Sequence, residues 1–111
     1  MSILSDTKED VGAPPGEDFD NVILRYINST CLELAQLGAT GPHLITVTPT
    51  SKWEDYDIRA DIIAPVQELV SAKVQLKFDT PSSEALVQAL KDRIQELEYR
   101  IKDQMELVNG T

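Results

Sequence analysis

The chain has 111 residues, enough for one domain and too few for two. Apolar residues make up 41% and charged residues 26%, an ordinary balance for a globular domain, and aromatics at 5% leave the core to Leu, Ile and Val. The 19 acidic and 10 basic residues give a formal net charge of −9, which excludes a protein that grips nucleic acid or an anionic membrane through clustered Lys and Arg. The same charge does not exclude a protein that DNA passes without sticking to it.

Taken in chain order, residues 2–10 predict a short first helix, capped by Ser2, with Ile3 and Leu4 as a small apolar face. The start lacks a basic region followed by an apolar run, so no signal peptide is expected. Gly12-Ala13-Pro14-Pro15-Gly16 is a breaker cluster and predicts a loop. Asp18 follows as a candidate N-cap, with Asp20 in the first turn, where the helix dipole favours negative charge.

Phe19, Val22, Ile23, Tyr26, Ile27, Thr30, Leu34 and Leu37 recur at three- and four-residue steps, which predicts a second helix over 19–37 closed by Gly38. Residues 38–61 are irregular. Within them, 44–48 (Leu-Ile-Thr-Val-Thr) is β-prone, and a lone strand needs a partner for its backbone. Ser51-Lys52-Trp53-Glu54 fits a capping box, so one helical turn is expected to carry Trp53 and Tyr56.

A third helix is predicted over 62–78, capped by Asp61, with Pro65 tolerated in its first turn. Ile62, Val66, Leu69, Val70, Val74 and Phe78 form its main face. Ile63 and Leu76 widen that face, so contact on more than one side is expected. Thr80 as cap and Pro81 as first residue predict a fourth helix running to about residue 107. Val87, Leu90, Ile94, Leu97 and Ile101 make its heptad-like seam, read chiefly as core. Glu96–Arg100 and Glu98–Lys102 are expected as surface pairs. The fold class is therefore mainly α, a small bundle of three long helices plus a short N-terminal one. A β-prone loop joins the second and third helices.

No residue set makes a catalytic constellation. His43 is the sole histidine and sits in a Gly-Pro loop with no neighbouring ligand or nucleophile. Cys31 is the sole cysteine, so no disulfide can form within the chain, and its apolar surroundings predict a buried, inert thiol. Two acidic groups, Glu54-Asp55 with Asp57 and Glu9-Asp10 with Glu17, Asp18 and Asp20, lack the spacing of an EF-hand and read as solvated surface. Gly38-Ala39-Thr40-Gly41 has neither the glycine spacing nor the Lys of a phosphate cradle. No catalytic, cofactor or metal site is expected. No apolar run reaches a membrane-spanning length, and the chain reads as soluble and intracellular.

The order of several short motifs resembles a known family. An MSIL start and a Pro/Gly loop precede Asp18-Phe19-Asp20, Ile27-Asn28-Ser29 and Gln36-Leu37-Gly38. After the variable loop come Trp53 before acidic residues, Val74-Gln75-Leu76-Lys77-Phe78-Asp79, Pro81-Ser82-Ser83 and Glu96-Leu97-Glu98-Tyr99-Arg100. Over residues 1–103 this pattern is similar to the small head–tail connector (adaptor) proteins of tailed bacteriophages.

The resemblance implies a structural adaptor, not an enzyme. Such a protein assembles as a dodecameric ring beneath the portal after DNA packaging, seats a stopper or tail-completion protein, and lets DNA pass through its lumen. It implies a place in the virion neck, with host cytoplasm as the site of assembly. The single domain then has an interaction loop at 39–60 and a C-terminal docking tail at 102–111. Lys102, Met105, Glu106, Leu107 and Val108 are the expected portal contacts. Leu44, Ile45, Val47, Trp53 and Tyr56 are the expected contacts with adjacent subunits or the tail side. The competing reading is a small acidic helical regulator or inhibitor acting through protein–protein contacts.

Overall fold

A computed structural model describes residues 2–37, 46–56 and 58–108, with side chains as far as residue 106. Four helices appear in chain order, α1 (Ile3–Val11), α2 (Asp20–Gln36), α3 (Ile63–Phe78) and α4 (Glu84–Val108), with a single 3-10 turn at Trp53–Asp55. No strand occurs among the described residues.

Helix α1 forms where the sequence places it. The Ser2 hydroxyl accepts the Ser5 N–H at 3.0 Å. At the other end Gly12 adopts φ +68°, and the Gly12 and Ala13 N–H groups close onto the Glu9 and Lys8 carbonyls. Ile3, Leu4 and Val11 are buried, so this short helix is part of the core rather than a loose arm.

The starts of the other helices depart from expectation. No side chain caps α2, and Phe19 stands in the cap position instead of Asp18. Asp20 forms an ion pair with Lys8 at 2.8 Å, which ties α2 to α1 across the Pro/Gly loop. Asp61 does not cap α3; Ile62 occupies that position without a side-chain bond. Thr80 bonds back to the Leu76 carbonyl and so finishes α3, leaving α4 to begin at Glu84. Asp61 and Thr80 each found a tertiary or backward partner that competed with the local cap.

The packing centres on α3, which lies against α1, α2 and α4. Val66, Leu69, Val70, Ala72 and Val74 are all buried, a face too broad for one neighbour. Lys73 is the cation set among them. It pairs with Glu33 of α2 and lies 3.8 Å from Glu98 of α4, so one ammonium spans three helices. Burial is the main reason its pKa is lowered. Glu98 thus faces Lys73 instead of joining Lys102 on the surface, whereas Arg100 does meet Glu96, at 2.9 Å. Outside the seam, Arg93 reaches both carboxylate oxygens of Glu68, at 3.2 and 2.6 Å.

Helix α4 is about 37 Å long at 1.5 Å per residue, and its burial rises along its length. Val87 and Leu90 are half-buried, while Ile94, Leu97 and Ile101 are buried. Leu86, near the start, is 60% exposed. Leu97→Ala should therefore lower unfolding stability by about 2–5 kcal/mol, whereas Leu86→Ala should change it by less than about 0.5 kcal/mol. Urea denaturation of the two variants followed by circular dichroism measures this contrast, and equal losses would refute the burial gradient.

Candidate functional site

Two regions carry the residues singled out for contact with other proteins. The first is residues 46–56, which the chain folds into a hydrogen-bonded platform on α1 and α2. Ser51 is at its centre and is 8% exposed. Its backbone carbonyl accepts the Ile3 N–H at 2.8 Å, which satisfies one of the unpaired donors at the start of α1. Its hydroxyl accepts the Thr48 N–H at 2.9 Å and the Tyr56 hydroxyl at 3.0 Å. The Tyr56 hydroxyl also lies 2.9 Å from the Thr46 carbonyl.

The expected capping box is shifted by one residue. Lys52 is the cap, and its N–H donates to the Asp55 carboxylate at 2.8 Å, while Ser51 is held by the contacts just described. Val47 is buried, 4% exposed, and the Asn28 side chain holds both its N–H and its C=O. Asn28 Oδ1 accepts the Val47 N–H at 2.7 Å, and Asn28 Nδ2 donates to the Val47 carbonyl at 3.1 Å.

Of the residues expected to meet a neighbouring subunit or the tail side, Val47, Trp53 and Tyr56 belong to this platform. Trp53 and Tyr56 are half-buried and pack against the core. Leu44 and Ile45 lie outside the described residues, as does His43. Trp53 also forms one wall of an open hollow of about 270 Å³ that includes Asp6, Glu9, Asp10 and Ser71. Ser71 donates to Asp10 at 2.7 Å. Glu9 and Asp10 are exposed, as are Glu17 and Asp18, in keeping with solvated acidic surface. Among the described residues, no group of three or more His, Cys, Asp or Glu is placed to hold a metal ion.

The second region is the end of α4. It runs alongside residues 59–62 and is latched there. Gln104 donates to Asp61 at 2.9 Å, and Arg59, itself paired with Asp61, reaches the Met105 sulfur at 3.4 Å. The Gln104 bond and the Arg59 charge hold the Asp61 pKa below its ordinary value despite some desolvation. Lys102 and Glu106 are exposed, and Met105 is half-buried against the core. Leu107 and Val108 continue the helix, and their side chains lie outside the description. Met105 is therefore partly engaged within the chain.

The sequence reading singled out neither Asn28 nor the Arg59–Asp61–Gln104 latch as contact-bearing. Asn28 sits mid-helix, where Asn is a poor helix former, and that misfit was the available signal. The latch joins positions 43 residues apart and leaves no local trace.

Among the described residues the chain is a small helical body that carries a stapled surface platform and a long terminal helix. A family model described as phage connector protein matches residues 3–107, and the chain belongs to that family. No curated protein and no solved structure matches it. The chain is thus a structural component of the phage head–tail connector, a virion part. No described helix is long and apolar enough to cross a membrane.

Cys31 was the one candidate nucleophile in a helix. It is buried in α2, and burial pushes its thiol up to about 11. An unfolded thiol titrates near 8.5, so the stabilisation from keeping Cys31 protonated is full below about pH 8.5 and is lost as pH climbs through about 11. Labelling by a thiol reagent at pH 8 should run about 100-fold slower in the native protein than in urea. Equal rates in the two states would show that the thiol is accessible.

Proposed function

We propose that this chain is an adaptor of the phage neck that forms a ring, a dodecamer by resemblance, beneath the portal. The ring connects the DNA-filled head to a stopper or tail-completion protein, and DNA passes through its lumen without specific binding. Subunits fold in the host cytoplasm and join heads that already contain the portal. Family membership is the observation that carries this reading. The absence of clustered Lys and Arg supports a lumen that does not retain DNA, since the net charge of −9 repels phosphate.

Residues 102–111 are proposed as the portal-docking end, through Lys102, Met105, Glu106, Leu107 and Val108. The platform at 46–56, as the described part of the 39–60 loop, is proposed to face adjacent subunits or the tail side. The helical course of α4 to Val108 supports the first assignment, because an amphipathic helix end suits a groove. The exposure of Lys102 gives the helix end a polar group for a rim.

Truncation after Glu106 separates docking from folding. It removes 107–111 but keeps Gln104 and Met105, which hold the end of α4 to Asp61 and Arg59. The truncated protein should keep its melting temperature and helical content and lose incorporation into portal-containing heads. Normal incorporation would exclude Leu107 and Val108 from the portal contact.

A further inference from the structure

The Ile27-Asn28-Ser29 motif has a task that the connector role does not by itself assign. We propose that Asn28 is a positioning residue for the contact platform: its carboxamide takes the place of a β-strand and holds Val47 in register on α2. The inference rests on reading residues 46–56 as a partner-facing surface.

The geometry carries it. A residue in an antiparallel ladder gives its N–H and C=O to one partner on the same side. Val47 gives both to a single side chain, with N–H to Oδ1 at 2.7 Å and C=O from Nδ2 at 3.1 Å. The pattern fixes the amide orientation, because a flipped carboxamide would set donor against donor and acceptor against acceptor. The β-prone run at 44–48 therefore has, at Val47, an intrachain partner that is not a strand.

The second anchor is Ser51, whose carbonyl accepts the Ile3 N–H. Between and beyond these anchors, Tyr56 bonds both Thr46 and Ser51. The platform is thus pinned to α2 at one end and α1 at the other, and Trp53 and Tyr56 are presented on a fixed frame. Pre-ordering of this kind lowers the entropy lost when a partner binds. It also explains why an amide occupies an interior helical position, where Ala or Leu would favour the helix more.

Asn28→Ala tests the clamp. Amide hydrogen exchange at Val47 should rise at least about tenfold, while the amides of α3 around Leu69 and Val70 keep their protection. Incorporation of the variant into portal-containing heads should fall with it. A second variant guards against misfolding. In Asn28→Asp the carboxylate faces the Val47 carbonyl, while the protonated acid can donate to it. Its native pKa is then raised, so the loss of melting temperature should be absent below about pH 4 and should grow as pH rises through the carboxylate range. Unchanged Val47 exchange in Asn28→Ala, or a pH-independent deficit in Asn28→Asp, would overturn the clamp. Raised exchange with normal incorporation would uphold the clamp and overturn the reading of this platform as a partner face.

Discussion

Everything else in the molecule leans on α3. It packs substantially against each of the other three helices, and its buried residues span more than a single face. A chain of this length can form only one core, so the helix that divides α1 and α2 from α4 must be apolar on both sides. Lys73 is the exception that confirms the geometry. Its ammonium emerges where α2, α3 and α4 converge and meets Glu33 and Glu98 there. A shift of α2 or α4 along α3 would strand a half-buried charge, so the pairing helps fix register as well as contributing energy.

Polar stapling does the work that a sheet would do in a larger protein. The segment between α2 and α3 has strand-forming chemistry but no strand among the described residues. Its backbone groups are instead met by Asn28, by the Ser51 and Tyr56 hydroxyls, and by the first free N–H of α1. Each bond is worth only about 0.5–1.5 kcal/mol net. Together they satisfy groups that burial would otherwise leave costly. The result is a surface segment held in one shape by its bonds to α1 and α2.

Helix α4 is longer than the part of it that completes the core. Its middle, from Ile94 to Ile101, completes the core. Its start carries exposed Leu86, and its end runs on past the latch at Asp61 and Arg59. Tyr99, 70% exposed on the same helix, leaves a large aromatic side chain on the surface.

By itself the sequence determined the four described helices, the Ser2 cap, the Pro/Gly break, the centres of the buried faces of α2, α3 and α4, though not Phe19, which is 43% exposed, or Val22, Val87 and Leu90, which are half-buried, and the buried Cys31. These follow from local periodicity and turn chemistry, which any stretch of ten to twenty residues contains. The order of its short motifs also pointed to the connector family. Tertiary structure alone decided how the polar side chains are spent. Asp20 went to Lys8, Asp61 to Arg59 and Gln104, Glu98 to Lys73, and Asn28 to Val47. The caps expected of Asp61 and Thr80 did not form, because a polar side chain near a helix end has one partner on offer locally and others that only folding brings close. Which partner wins depends on distances between elements, and no linear pattern of residues encodes those.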